Sequence, residues 1–413
     1  MSKSSTGERL TLRAAAEEIV RTLRDAGHEA LFAGGCVRDL LLNSPPTDID
    51  VATSARPEQV LKLFRRTRAV GKQFGVVLVR RGGHEIEVAT FRTDASYSDG
   101  RHPDAVHYGT AREDAQRRDF TINGMFFDPL DLRVIDYVEG QRDLQRRVVR
   151  AIGDPRQRFA EDHLRLLRAV RFAARLGFDI DPATWEAVYE TAPMLRRVSA
   201  ERIADELSRM LTAATRCRAW ELLAKSRLVE HLWPGAERLA GRVGRIAALL
   251  APLPDEVSFE LVLAILALPD SDEARAVCDA LRASNAVKRS VVWLVDHHAD
   301  LERPEGVSVA RLKRLMADPA FDELLLLLRA RLLADGRGDD VWRVMRDRTG
   351  AIAPRDVAPP PLLTGDDLIA MGVPPGPRYK RILDAVYDAQ LNGEIADSDA
   401  AAAMARTLVA AMN

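Results

Sequence analysis

The sequence predicts an α+β protein, in which a small mixed-sheet head precedes an all-α neck, body and tail. Strand-like apolar runs such as EALFA, GVVLVR and EIEVATFR are confined to the head. From Asp143 onward, apolar residues recur at helical spacing without strand alternation. A proline-rich break, APRDVAPPPLLTG, precedes a final helical piece. We therefore expect four parts, at residues 1–142, 143–215, 216–349 and 350–413.

The elements of the head follow from local patterns. LTLRAAAEEIVRTLRDAG predicts a helix that ends near Gly27, and EALFA predicts a buried strand. Gly34 and Gly35 predict a turn into the helix CVRDLLL. TDIDVAT reads as a second strand, and Pro57 suits the start of the next helix. GVVLVR and EIEVATFR form a predicted hairpin around RGGH.

The rest of the head is less regular. The segment from Thr93 to Gln116 is polar without a clear period, so we expect a loop. A helix is expected to open near Asp119, and RVIDYVEG predicts the last strand.

Composition excludes several classes of protein. The 413 residues are 47% hydrophobic and 29% charged, as in ordinary globular proteins. Lysine and arginine number 60 against 61 acidic residues, so binding to an acidic polymer would need a local basic surface. Three scattered cysteines form no metal or disulfide pattern, and MSKSSTGERL lacks a signal-peptide core. Arginines interrupt the apolar runs well short of the roughly 20 residues of a membrane span. We expect a cytoplasmic protein without membrane contact.

Asp48 and Asp50 are the first candidate site residues. In a strand they would point to one face with Cα atoms roughly 6.5–7 Å apart. Two such carboxylates repel each other, and a bound Mg²⁺ would remove that cost. Two metals could clamp the attacking and leaving oxygens of a phosphoryl transfer. The alternative is a polar strand end with solvated acids. A third carboxylate should come from an adjacent strand, where either Glu85 or Glu87 is suitable.

A candidate phosphate site precedes these acids. Gly34 and Gly35 would let backbone N–H groups approach an anion at a helix N-terminus. Arg38, one turn into that helix, could reach the same anion. The combination of GG-x-V-R-D, a short spacer and D-x-D is far more specific than any of its parts.

These motifs resemble the class II tRNA nucleotidyltransferases and bacterial poly(A) polymerases of the polymerase-beta superfamily. The similar segments lie within residues 30–211: GGCVRD, TDIDVAT, GKQFGVV, EVATFR, RRDFTINGM, RAIGDPRQRFAEDHLRLLRAVRFAARLGF and SAERIADEL. The resemblance implies a nucleotidyltransferase head and metal binding by Asp48, Asp50 and Glu87, with Glu85 still a competitor. It also implies that Arg118, Asp119 and Asn123 hold the nucleotide. A helix capped by Asp119 with solvated arginines is the plain alternative.

The run EDHLR carries a further implied role. On one helix, Asp162 and Arg165 would share a face at i,i+3. An aspartate acceptor beside an arginine donor matches the pairing edges of cytosine and adenine and opposes those of uracil and guanine. In the family this pair reads the base, and Glu161 and Arg168 would orient it. The alternative is a surface ion pair worth about 0.2–0.5 kcal/mol.

The implied reaction adds CMP and AMP from CTP and ATP to the 3′ end of tRNA, with Mg²⁺ as cofactor. An enzyme that adds only CC or only A, and a poly(A) polymerase, are alternatives within the family. A protein of this fold that only binds RNA or modifies a small molecule is the alternative from another class. CC-adding relatives carry a shortened loop, whereas the segment RTDASYSDGRHPDAVHYGTAREDAQ from Arg92 is unshortened. This argues against an enzyme that adds only CC, but loop length does not separate full CCA addition from A-only addition. No protein partner is evident.

Overall fold

The computed structural model describes residues 10–69, 75–94, 106–374 and 376–411. The chain divides into two compact units. Met1–Leu211 with Arg218–Gly241 form the first, and Thr212–Cys217 with Arg242–Asn413 form the second. The four-part division expected from the sequence stays a prediction.

The first unit contains a mixed sheet of seven strands within the described residues, as the sequence predicted. Its strands, with those of two small sheets, are β1 (Ala30–Ala33), β2 (Asp50–Thr53), β3 (Thr67–Ala69), β4 (Val76–Arg81), β5 (His84–Thr90), β6 (Arg92–Asp94), β7 (Val106–Tyr108), β8 (Phe126–Asp128), β9 (Arg133–Ile135), β10 (Val148–Val149) and β11 (Asp179–Ile180). The order in the large sheet is β3-β4-β5-β2-β1-β8-β9. Only the pair β2 and β5 is parallel among these neighbours.

Helices cover this sheet and extend the first unit. They are α1 (Leu12–Asp25), α2 (Gly35–Leu41), α3 (Pro57–Leu63), α4 (Ala111–Gln116), α5 (Gly140–Arg146), α6 (Pro155–Glu161), α7 (Arg165–Leu176), α8 (Pro182–Thr191), α9 (Ala200–Leu211) and α10 (Arg216–Lys225), whose first two residues group with the second unit. Short 3₁₀ turns lie at Thr121–Asn123, Ala192–Arg197, Leu228–His231 and Ala236–Arg242. The predicted first helix, the helix after the glycine pair and the helix at Pro57 are confirmed.

The predicted hairpin is confirmed. Strands β4 and β5 pair antiparallel from Val76 to Arg81, and Gly82 and Gly83 between them have positive φ values of 56° and 91°. Such values favour glycine. The hairpin carries Glu85 and Glu87 beside the central strands of the sheet.

The expected strand TDIDVAT is shorter than predicted. Strand β2 begins at Asp50, so Asp48 lies before it. The reason is the end of the partner strand: Ala33 pairs with Asp50, and the next residue, Gly34, already turns toward α2. Residues ahead of Asp50 therefore have no β1 partner with which to continue the ladder.

Two further expectations are wrong. The segment from Thr93 to Gln116 is not simply a loop, because β6 pairs with β7 and α4 follows; residues 95–105 lie outside the described part of the chain. The helix expected near Asp119 is a single 3₁₀ turn. The almost purely helical chain expected after Asp143 is confirmed, and its described exception is the short parallel pair of β10 and β11.

The second unit is helical throughout its described residues. Its helices are α11 (Val243–Leu250), α12 (Phe259–Ala267), α13 (Ser271–Ala280), α14 (Asn285–His297), α15 (Val309–Met316), α16 (Phe321–Ala334), α17 (Asp340–Gly350), α18 (Gly365–Ala370), α19 (Arg378–Asn392) and α20 (Ser398–Ala411). The proline-rich break before α18 contains only one 3₁₀ turn, at Pro354–Asp356. Helices α18 to α20 share an apolar core. None of the described helices combines the length and apolarity that crossing a bilayer requires.

Candidate active site

A pocket of about 570 Å³ lies within the first unit. It is lined by Gly34, Gly35, Arg38, Asp39, Thr47, Asp48, Asp50, Arg117, Arg118, Asp119, Asn123, Asp162, Arg165, Arg168, Arg171, Phe172, Arg175 and Arg209. Eight of these residues are arginines and five are aspartates. The described lining therefore carries a surplus of three positive charges, which suits a polyanionic ligand.

The glycine turn brings the chain close to the acids and arginines. Gly34 has a φ of 80°, and a Cβ there would lie 3.1 Å from an Arg118 nitrogen and 4.0 Å from an Asp50 oxygen. A larger residue would be strained at this φ and crowded by Arg118. Arg38 is buried, and its guanidinium donates to Asn123 Oδ1 at 2.7 Å and to Asp39 Oδ1 at 2.8 Å. The predicted residues of this turn thus lie together.

Asp48 and Asp50 both line the pocket despite the shortened strand. Desolvation, followed by the nearby Glu87 and Asp48 carboxylates, raises the pKa of Asp50 to about 6, while Arg118 lowers it. The parallel pairing of Val51 with Val88 places Glu87 beside Asp50 in the sheet. Glu85 precedes Glu87 by two residues on β5 and pairs with Arg80 of β4. Of the two competitors, Glu87 is the one next to the aspartates.

These carboxylates fit a divalent cation by their chemistry. In the described residues, no three His, Cys, Asp or Glu side chains already stand close enough to enclose a metal. The mutual repulsion that raises the pKa of Asp50 is nevertheless a cost that a bound cation would remove. Carboxylate oxygens are the ligands that hard divalent cations prefer.

The RRDFTIN segment lines the opposite part of the pocket. Arg118 donates twice to Asp114, at 3.1 and 2.9 Å, which fixes its guanidinium. Asp119 accepts from Arg168 at 2.8 Å and from the Phe120 N–H at 2.8 Å. Burial alone would raise the pKa of Asp119, but the charge and hydrogen bond of Arg168 hold it below its ordinary value. The alternative of solvated arginines is wrong at Arg118, because its side chain is 19% exposed.

The predicted helical pair of Asp162 and Arg165 is wrong in its geometry. Asp162 ends α6 in an extended conformation, with φ −144° and ψ 104°, and Arg165 begins α7. Arg165 donates to Glu161 at 2.7 Å, whereas Asp162 pairs with Arg202 at 2.8 Å. Asp162 Oδ1 also accepts from the Leu164 N–H, a local bond that competes with helix continuation. Both side chains still line the pocket.

Among the described residues, Arg165 uses three of its donors, which leaves others for a ligand. Its Nη1 donates to Glu161 and to the Arg158 carbonyl, and its Nη2 donates to the Arg117 carbonyl. A guanidinium has five N–H donors, so these bonds leave two of them. Glu161 accepts from both Arg158 and Arg165, which agrees with a supporting rather than a ligand-binding position.

Several pocket residues were not predicted from the sequence. Arg171 and Arg175 follow Arg168 along α7, and their spacing of three and seven positions was a usable signal for a shared helix face. Arg202, which holds Asp162, and Glu206, which pairs with Arg171 at 2.5 Å, come from α9. No sequence pattern brings α9 against α7, so these two contacts needed the structure.

Cys36 is a buried packing residue at the start of α2. Burial raises the pKa of its thiol to about 12, and its sulfur donates to the Ala33 carbonyl at 3.2 Å. A thiol that stays protonated is a poor nucleophile.

Two family models match parts of this chain. Residues 30–150 match the family model described as "Poly A polymerase head domain", and residues 177–239 match "Probable RNA and SrmB- binding site of polymerase A". The first match spans the glycine turn, the acids and the RRDFTIN segment.

Relatives match over nearly the whole chain. The CCA-adding enzyme of Geobacillus stearothermophilus is 34% identical, over 91% of this chain and 92% of its own. A crystal structure of the Bacillus stearothermophilus CCA-adding enzyme in complex with CTP has a TM-score of 0.80 at 32% identity, covering 96% and 98% of the two chains. The Thermotoga maritima CCA-adding enzyme complexed with tRNA shares the fold, with a TM-score of 0.67 at 21% identity over 98% and 97% of the chains. From the pocket and these likenesses together, the chain belongs to the family of CCA-adding enzymes.

Proposed function

We infer that this chain is a template-independent tRNA nucleotidyltransferase. It adds CMP and AMP, from CTP and ATP, to the 3′ end of tRNA until CCA is complete, and it releases pyrophosphate. The observation that carries this function is a single pocket that joins paired aspartates, a glycine turn, eight arginines and the Asp162–Arg165 edge. Likeness over the full chain to CCA-adding enzymes, one of them in complex with CTP, supports it.

The paired aspartates would hold the metal. Enzymes of this superfamily need divalent metal ions, and we propose Mg²⁺, bound by Asp48, Asp50 and Glu87. When bound, the metal supplies charge stabilisation for the attacking and leaving oxygens of the transfer. Glu87 supports this assignment through its position beside Asp50 in the sheet.

The arginines and the glycine turn would bind the nucleotide phosphates. Arg38 and Arg168 are fixed by hydrogen bonds to Asn123 and Asp119, so their guanidinium groups lose little freedom on binding. Gly34 and Gly35 line the pocket beside Arg118 and Arg38, and their lack of side chains would let an anion approach these arginines. Arg118 beside Asp50 links the phosphates to the metal-binding acids.

Asp162 and Arg165 would select the base. The carboxylate of Asp162 accepts a hydrogen bond from the exocyclic amino group of cytosine or adenine, and a free Arg165 donor meets the ring nitrogen. Uracil and guanine present the opposite pattern, so like groups would face each other and binding would weaken. The ion pair with Arg202, at 2.8 Å, holds the Asp162 carboxylate in its position at the pocket.

The substrate RNA would contact the helical part of the chain through its backbone and shape. The match of residues 177–239 to an RNA-binding family model supports a contact in that region. We also propose a cytoplasmic location. The three cysteines are free thiols, which fits a reducing compartment.

A stepwise extension assay tests the proposal. Purified protein is incubated with tRNAs that lack the last three, two or one nucleotides, with each nucleoside triphosphate alone and in mixtures. We expect C, C and A to be added in that order, with UTP and GTP rejected. Addition of only C or only A would identify a partial enzyme, and long A tracts would identify a poly(A) polymerase.

A further inference from the structure

One aromatic ring contacts three of the pocket arginines. Phe172 of α7 lines the pocket and is 5% exposed. The guanidinium carbons of Arg38, Arg168 and Arg171 lie 5.4, 5.2 and 4.4 Å from its ring centroid. Guanidinium groups within about 6 Å of an aromatic ring are attracted by its π electrons.

Each of these arginines also has a hydrogen-bond partner, and Arg168 and Arg171 both lie within ion-pair distance of Glu206, at 3.8 and 2.5 Å. Arg38 donates to Asn123, Arg168 donates to Asp119, and Arg171 donates to Glu206. These partners come from different parts of the first unit, whereas the ring is the contact that all three arginines share.

The ring is itself held in place. Phe120 packs edge-on against Phe172, with ring centroids 5.8 Å apart and an interplanar angle of 76°. Phe120 directly follows Asp119, the partner of Arg168, and is fully buried. Edge-to-face pairs of this kind are favourable and fix the orientation of both rings.

We propose that Phe172 is a positioning residue for nucleotide binding. Its ring offsets the mutual repulsion of Arg38, Arg168 and Arg171 and keeps their guanidinium groups directed into the pocket, where the phosphates of CTP or ATP bind. This role rests on the proposed function. Without the ring, the three cations repel each other and spread, so both nucleotides bind more weakly while the chemical step is little affected.

The test compares Phe172→Leu with Phe178→Leu. Phe178 is 2% exposed, follows the same helix and contacts an arginine, Arg147 at 5.2 Å, that lies outside the pocket lining. KM and kcat for CTP and ATP are measured with shortened tRNAs, together with the melting temperature. We expect Phe172→Leu to raise both KM values about tenfold, with kcat within about threefold of wild type. Phe178→Leu should destabilise similarly and leave KM unchanged.

A third variant separates the ring from simple packing. Phe172→Tyr keeps the aromatic face, so its KM should stay near that of the wild type. Three results would overturn the role of Phe172. They are a KM of Phe172→Tyr as high as that of Phe172→Leu, a KM of Phe172→Leu equal to that of the wild type, and an equal rise of KM in Phe178→Leu. Failure of the wild-type protein to add any nucleotide would instead refute the proposed function.

Discussion

At the scale of single residues, Asp48 and Asp50 lie at the pocket although the strand predicted to contain both of them is shorter than expected. Asp48 lies outside β2 and Asp50 begins it, yet both face the same pocket. The D-x-D spacing and the glycine pair were sufficient to find these residues. The strand boundary was not predictable, because it depends on where β1 leaves the ladder at Gly34.

Alanine at either aspartate should abolish nucleotide addition without unfolding the protein. Both side chains line the pocket and are not part of an apolar core, so their removal should cost little stability. We expect less than about a tenth of the wild-type rate, a barrier increase of more than about 1.4 kcal/mol.

Glu87→Ala should behave similarly, with Glu85→Ala on the same strand as the matched control. If Glu85→Ala lost nucleotide addition and Glu87→Ala kept it, Glu85 would be the third metal-binding carboxylate.

Replacing Asp162 or Arg165 with alanine should relax base selection. The wrong bases are rejected by facing donors and acceptors, and truncation removes that conflict. Competition among all four nucleotides on one tRNA measures the ratio of correct to wrong additions. Arg175→Ala, at the other end of α7 in the same pocket, is the control that should weaken binding without changing the ratio. If both Asp162→Ala and Arg165→Ala kept the wild-type selectivity, the two residues would have only a structural role.

At the scale of elements, hydrophobic periodicity and capping residues predicted the long helices and strands but not the short ones. Helix α1 combines a regular apolar face with a Thr11 cap, so its pattern was unambiguous. Strands β10 and β11 have two residues each, too few for any alternation to show. Helix α4 had a readable signal, the capping box of Thr110 and Glu113, that a polar composition obscured. At the break between α6 and α7, Asp162 pairs with Arg202 of α9, a contact that local sequence patterns do not indicate.

The segment between β6 and β7 carries a prediction of its own. Its central residues, 95–105, lie outside the described chain. Shortening the segment between Ser96 and Gly109 should leave addition of the two C residues intact and block A, because CC-adding relatives carry a shortened loop at this place. Replacing the same residues by glycine and serine at unchanged length is the control and should retain A addition. Equal loss of C and A addition would show a general role in catalysis.

At the scale of the whole molecule, the pocket lies entirely within the first unit, and that unit continues to Gly241. A fragment of residues 1–241 should therefore fold and bind CTP, while a fragment ending at residue 211 should be much less stable. The shorter fragment lacks Trp220, which is fully buried, and the Arg218 bond to the Phe178 carbonyl at 2.9 Å. Urea unfolding and calorimetric CTP binding measure the difference. If fragments 1–241 and 1–211 were equally stable, the extension of the first unit to Gly241 would be contradicted.

The surplus of positive charge in the pocket also bears on how the reaction ends. A cavity that attracts a triphosphate by charge attracts pyrophosphate for the same reason, so each turnover leaves behind an inhibitor suited to the site that made it. Escape of this product then competes with the next addition, and bond formation need not set the overall pace. Released pyrophosphate also competes with CTP and ATP for the same pocket, and a pyrophosphatase working alongside this protein would remove that competitor.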